Sequence, residues 1–399
     1  MPHAISRALA AAGAFLIGLA GASTQALAQT SFGASFEVIE DVTWIGGLSG
    51  TGRYLVYEAE LPGGFAAVRR DLVVGDVLEL GIGLPLDITA DGTGVIGATG
   101  RINGAFLWTE AGGYVDLNDS VFEFRGRTTV SPSLSDDATV LVGDPTTRSA
   151  FLYLTGGGPP GGVGGGTSVL LENEGEPWRI SGDGRFVVGS SNLGSGFFSA
   201  VRWNSTGAIE ELRPRAVGRA ISADGAIIAG EDLSRNQGFR QWRLRPPVFL
   251  AFLPGGTSQS VTGMSADGER IIGSQRVDGS SVACVWDSTG AAQSMLDVLL
   301  DAGLDVAAYE FLDAAQISDD GRSFVLRGFD PDGESVTVVA RLGGLCAADV
   351  DGDGELTTFD LLALIDLLED GDPRADADGN GRLDVFDLLA FINDFVAGC

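Results

Sequence analysis

Ten residues near the C-terminus have the types and spacing of a metal site. Asp349, Asp351 and Asp353 occupy positions one, three and five of a twelve-residue loop, DVDGDGELTTFD, and Asp376, Asp378 and Asn380 do the same in DADGNGRLDVFD. Each loop has Gly at position six (Gly354, Gly381), where the chain must turn sharply, and a carboxylate at position twelve (Asp360, Asp387). Backbone carbonyls at Glu355 and Arg382 complete the set. Calcium is a hard cation that takes six to eight oxygens, and this pattern gathers them around one point in each loop, so two Ca2+ ions are expected.

The elements that must hold these loops are duplicated with them. Offsetting the chain by 27 aligns Asp349–Gly371 with Asp376–Gly398 at 12 identical positions of 23. Each loop runs into an apolar stripe of helical spacing: Leu361, Leu364, Ile365 and Leu368 match Leu388, Phe391, Ile392 and Phe395. Each unit is thus a loop followed by one helix. The segment resembles the type I dockerins, duplicated calcium modules that dock onto cohesin domains, and in particular a form that begins near a Cys and ends in Gly-Cys. The resemblance covers residues 346–399 and implies a cohesin-like or envelope scaffold partner. Thr358-Phe359 and Val385-Phe386 stand where cellulosomal dockerins often carry Ser or Thr pairs, which leaves the partner open.

Cys346 and Cys399 bracket this module, and a disulfide between them is expected because an exported segment of this size has a small core. Cys284, in VACVW, reads as a buried strand residue. The module carries 14 acidic residues against Arg374 and Arg382, so its folding should depend on calcium.

Residues 1–28 read as a secretory signal, with Arg7, the apolar run 8–22 and an Ala26-Leu27-Ala28 cleavage site before Gln29. The chain is expected to be secreted or cell-surface and not membrane-embedded. Its net charge of −29 argues against nucleic acid as a partner. All 25 basic residues are Arg, and the single His is His3, inside the signal. A mature chain without His or Lys cannot build Ser-His-Asp or Cys-His catalysis, His-ligated zinc, Lys Schiff bases or a P-loop. Carboxylate pairs remain, the arrangement of glycosidases, with Glu110, Asp116, Glu172, Glu174 and Glu231 as candidates that nothing in the sequence brings together.

Between signal and module one phrase recurs: a small polar residue, a spacer, Asp-Gly, then an apolar strand ending in Gly. It reads ITADGTGVIG, LSDDATVLVG, ISGDGRFVVG, ISADGAIIAG, MSADGERIIG and ISDDGRSFVL, with a degenerate first copy LSGTGRYLVY. From Thr51 through Asp91, Asp137, Asp183, Asp224 and Asp267 to Asp320 the spacings are 40, 46, 46, 41, 43 and 53. That is the period of a propeller blade. The expected fold is therefore all-β, a seven-bladed β-propeller of four-stranded blades over residues 29–343, followed by the small helical calcium module. An aromatic at Trp108, Tyr153, Trp203, Trp242 and Trp286 is expected on each third strand, packed on the neighbouring blade. The spare strand SFEVIE (35–40) is expected to close the ring, SMLDVLLDAGLD to form a short helix, and GGGPPGGVGGG (156–166) to be a loop inside the third unit.

The repeats resemble the extracellular HAF-type repeats in Ala105-Phe106-Leu107-Trp108 and Ala150-Phe151-Leu152-Tyr153, without their His. That resemblance implies no activity. Two functions are expected from the whole: a secreted binding and display protein attached through its calcium module, with a glycan or protein ligand on the propeller, or a tethered polysaccharide-degrading enzyme.

Overall fold

The computed structural model describes residues 34–397 except 62–63, 100–103, 118–132, 137, 139, 144–150, 155–166, 174, 195, 244, 343–349, 351–357, 371–374 and 376–381. The signal, both cysteines of the expected disulfide, and Asp349, Asp351, Asp353, Glu355, Asp376, Asp378 and Asn380 lie outside the described residues.

The strands form seven four-stranded sheets, antiparallel throughout. An isolated strand, β1 (Ser35–Ile39), precedes the first. Blade one contains β2 (Val42–Leu48), β3 (Tyr54–Leu61), β4 (Gly64–Asp71) and β5 (Val77–Gly81); blade two contains β6 (Leu84–Ile88), β7 (Gly94–Thr99), β8 (Gly104–Thr109) and β9 (Gly113–Asp116). Blade three is β10 (Ser133–Leu134), β11 (Val140–Gly143), β12 (Phe151–Leu154) and β13 (Thr167–Leu170). Blade four is β14 (Gly175–Ile180), β15 (Phe186–Ser191), β16 (Ser199–Asn204) and β17 (Ile209–Pro214). Blade five is β18 (Ala216–Ile221), β19 (Ile227–Asp232), β20 (Gln237–Trp242) and β21 (Val248–Phe249). Blade six is β22 (Gly256–Met264), β23 (Ile271–Val277), β24 (Ser280–Trp286) and β25 (Ala292–Ser294), followed by helix α1 (Met295–Asp301), capped by Ser294 Oγ on the Asp297 N–H. The last sheet joins β26 (Glu310–Ile317), β27 (Ser323–Phe329) and β28 (Ser335–Arg341) to β1, which pairs β28 from Ser35↔Arg341 to Ile39↔Thr337. The first strand is thus the outer strand of the last blade.

A seven-bladed β-propeller of four-stranded blades was expected, and this is corrected to six complete blades. Six sheets have three inner strands of five residues or more, whereas in the third only two to four residues of each strand are described, every one beside residues outside the described set. Among the described residues α-helix is scarce, confined to α1, α2 (Thr358–Asp370) and α3 (Val385–Ala397).

The recurrent phrase builds each blade's first hairpin. In blade five Ser222 Oγ donates to Asp224 Oδ1 (2.7 Å) and accepts the Ile227 N–H (2.9 Å), while Asp224 Oδ1 also accepts the Ala226 N–H (2.9 Å). The same bonds recur at Ser181–Asp183, Ser265–Asp267 and Ser318–Asp320. The Gly after this Asp takes a positive φ, as an Asp-Gly turn requires. Its carbonyl is then held by an Arg of the preceding blade: Arg69 on Gly92 (2.8 Å), Arg202 on Gly225 (2.7 Å), Arg240 on Gly268 (2.9 Å), Arg270 on Gly321 (2.7 Å) and Arg341 on Gly52 (3.3 Å). A planar fork suits this position because it also takes a carboxylate and stacks on a ring. Arg202 binds Glu210 Oε2 through Nε and Nη2 and lies 4.6 Å from the Phe186 centroid.

Trp108, Trp203 and Trp286 lie on third strands, buried against the preceding blade: Trp203 packs with Val140 and Leu171, Trp286 with Ala229 and Leu250. Trp242 is the exception, 43% exposed at the end of β20, and Phe239 is the buried ring of that strand.

Candidate functional site

The channel along the propeller axis is lined by the innermost strands β2, β6, β10, β14, β18, β22 and β26 and by the recurrent phrase at the end of each. At one end the spacer residues meet. Thr51 N–H donates to the Ala90 carbonyl, Asp136 to Gly182, Asp183 to Ala223, Ala223 to Ala266, Ala266 to Asp319 and Asp319 to Gly50, at 2.8–3.2 Å. This backbone girdle narrows the channel to a cavity of about 90 Å3. Asp319 is half-buried in it, its carboxyl pushed up by burial against the opposing pull of Arg179, with Asp320 and Asp87 adding repulsion.

The other end opens into a cavity of about 370 Å3. Here six innermost strands share an irregularity. The pairing register slips between Ile45 and Gly47, Pro85 and Asp87, Pro177 and Arg179, Gly218 and Ala220, Val261 and Gly263, and Ala314 and Gln316. A bulge leaves one residue unpaired and re-aims side chains. Gly46, Leu86, Trp178, Arg219 and Thr262 are bulged residues, and all five line the mouth.

The polar groups of the mouth are mutually engaged. Asp87 accepts Arg179 Nη1 (2.9 Å), Ser133 Oγ (2.6 Å) and the Leu134 N–H (3.0 Å). The Arg219 guanidinium stacks 4.0 Å from the Trp178 centroid, with Nε 3.5 Å from Glu231 Oε1. Glu231 Oε1 accepts Ser260 Oγ and the Val261 N–H, both at 3.1 Å. Gln316 Nε2 donates to the Gly46 carbonyl (3.2 Å). Trp178 Nε1 is buried with no hydrogen-bond partner among the described atoms. Trp44, on the first blade, is 45% exposed. The arrangement offers aromatic surface and fixed donors and acceptors around a ligand-sized hollow.

Sequence reasoning missed this mouth because its residues stand just before the recurrent phrase and share no residue type. Only the period itself could have signalled them. Of the candidate acids, Glu231 stands behind the mouth, holding Arg219, Ser260 and the Val261 N–H, Glu110 faces Arg69 at 3.6 Å, and Glu172 accepts the Ile209 N–H at 3.2 Å. Asp116 lies on β9, and Glu174 is outside the described residues. Glu110, Glu172 and Glu231 thus stand apart in the chain, each with its own partners.

In the C-terminal segment, Asp360 and Asp387 are described and fully buried. Asp360 Oδ1 accepts the Val350 N–H (2.9 Å) and Asp387 Oδ2 the Asp384 N–H (2.7 Å). A carboxylate withdrawn from water at the start of each helix, in a segment whose remaining candidates are all oxygen donors, fits a hard cation. Arg382 is exposed, consistent with a role through its backbone alone. Leu364, Ala375 and Phe391 are the buried centre of this segment. Burial repeats at the 27-residue offset: Leu364 with Phe391 inside, Leu362 with Leu389 and Ile365 with Ile392 outside.

Cys284 is buried on β24 and reduced, with burial pushing its thiol up to about 12 against a hydrogen bond from Gln275. Among the described residues no helix is long and apolar enough to cross a membrane.

No family model and no curated protein matches the chain. Solved structures do. The β-propeller domain of the trilobed protease from Pyrococcus furiosus, described as having an open velcro topology, is similar at TM-score 0.51 and 10% identity over 75% of this chain and 93% of that one. The β-propeller domain of Cps50 (Swd1) from Myceliophteria thermophila gives 0.49 at 11% over 76% and 99%, and TolB from Acinetobacter baumannii 0.41 at 16% over 73% and 81%. At such identity the first of these speaks for the fold alone: this is a β-propeller protein.

Proposed function

We propose that this is an exported binding and display protein, its propeller attached to a scaffold or cell-envelope partner through a calcium-dependent, dockerin-like module. The observation that carries the reading is the outer face of the two C-terminal helices. Val385 and Phe386 (each 60% exposed), Leu389 and Ile392 form an apolar face on α3, and Leu362 and Ile365 repeat it on α2. Residues of this size at such exposure, in register across a duplication, mark a surface that a partner covers. The buried pair Asp360 and Asp387 supports two calcium ions, which by the sequence pattern would be held with Asp349, Asp351, Asp353 and Glu355 in one loop and Asp376, Asp378, Asn380 and Arg382 in the other. The absence of Lys and of any His beyond His3 supports binding over catalysis. A Cys346–Cys399 disulfide would close the module.

Calorimetry on the full chain tests the reading. Two calcium ions should bind and be stripped by EGTA, one site should vanish in Asp360→Ala and both in the Asp360→Ala, Asp387→Ala double variant. A wild-type chain that takes up no calcium would overturn it.

A further inference from the structure

The mouth of the axial channel is built for one kind of occupant. Its charges cancel in place, Arg179 against Asp87 and Arg219 against Glu231, so nothing there calls for an ion despite the net charge of −29. What faces the hollow is the half-exposed indole of Trp44 and hydrogen-bonding groups: the Thr262 oxygen, an acceptor whose proton goes to the Ala314 carbonyl, and the Gln316 amide, whose Nε2 holds the Gly46 carbonyl, beside the guanidiniums of Arg179 and Arg219. Trp178 adds a second indole whose N–H has no acceptor among the described atoms. The volume, about 370 Å3, lies in the roughly 300–1,000 Å3 range of small-molecule sites and is too small for a folded partner. A flat apolar surface ringed by mixed donors and acceptors matches a ring with C–H bonds on its face and hydroxyls at its rim.

We propose that the channel mouth binds a neutral pyranose unit of a glycan, its apolar face on Trp44 and its hydroxyls on Arg179, Arg219, Thr262 and Gln316. The site stands on the geometry of the mouth; only its place in a display protein rests on the reading above. Bulges on six blades turn the inner strands here, which rigid strands supply more accurately than loops.

The test uses the purified full chain with calcium, titrated by calorimetry against gluco-, xylo-, manno- and galacto-oligosaccharides, with oligogalacturonate as the charged arm. At least one neutral oligosaccharide should saturate. Its affinity should fall at least tenfold in Trp44→Ala, recover partly in Trp44→Phe, and stay unchanged in Trp242→Ala, an exposed indole outside the mouth. Binding should persist in EGTA, which separates this site from the tail: a chain that takes up no calcium yet binds the sugar would sink only the attachment. The proposal is overturned if no neutral member saturates at millimolar concentration, if only oligogalacturonate binds, or if Trp44→Ala binds as wild type.

Discussion

The Gly that ends five of the repeat phrases gives the sharpest test of how the inner strands are built. A Cβ on Gly273 would lie 1.9 Å from the Ser260 carbonyl oxygen and 3.1 Å from the Val261 Cα, both backbone atoms of β22 beside its bulge. Gly189 and Gly230, and Gly328 two residues beyond the last phrase, meet the carbonyls of Glu176, Val217 and Glu310 at 2.2, 2.0 and 1.9 Å in the same way. In Gly273→Ala the carbonyl must retreat until the contact exceeds 3.0 Å, and no side chain can absorb the motion. Separating the strands by about 1 Å disturbs the ladder on both sides of the bulge, an overpacking cost of about 3 kcal/mol. Gly303→Ala is the control: its Cβ meets nothing within 4 Å, and its φ of 85° costs about 1 kcal/mol. Urea unfolding of both variants with calcium, followed by tryptophan fluorescence, should place Gly273→Ala well below Gly303→Ala. Equal midpoints would refute the claim that close approach, and not conformational freedom, places this Gly.

Arg202→Lys should cost about 1–2 kcal/mol by thermal unfolding, since an ammonium cannot serve Gly225, Glu210 and Phe186 together; Arg327→Lys, on the exposed pair with Asp313, should cost less than about 0.5 kcal/mol. Asp224, held down by the Ser222 hydroxyl and the Ala226 N–H, and Asp287, held down by the Thr289 hydroxyl, titrate below the ordinary carboxylate value. Their contribution is therefore complete above about pH 4 and lost as pH falls further, so Asp224→Asn should be costly at pH 7 and nearly neutral near pH 2. Asp319 has the opposite sign: its raised carboxyl opposes folding once ionised, so Asp319→Asn should raise the neutral-pH midpoint by an amount that shrinks toward pH 4. Cys284, pushed up to about 12, should react with a disulfide reagent at pH 8 about a thousandfold more slowly than in the denatured chain; labelling at the denatured rate would contradict its burial.

Much of the propeller was legible because Asp-Gly turns and the Trp positions carry local physics that survives sequence drift. The hairpin at Asp267-Gly268, helix α1 and the closing strand β1 stand where pattern placed them. The number of complete blades was overread, since the phrase at 134–143 looks as complete as its neighbours. Trp242 misled for a related reason: spacing gave its strand, but the face it occupies depends on Phe239 having already filled the interface. The mouth was illegible because a bulge changes which way a residue points without changing its type. Arg219 and Trp178 are ordinary strand residues by sequence, and only the register slip puts them together.

The way β1 is paired has a mechanical consequence. The chain leaves the propeller from β28, which lies between β27 and β1, so a pull on the tail is carried by two ladders: seven residues against β27 and five against β1. Had the closing strand been C-terminal, tension from the tail would have peeled the outermost ladder one bond at a time. With the N-terminal strand outside, the load enters an interior strand in shear, and the latch of the ring carries no tension at its own end.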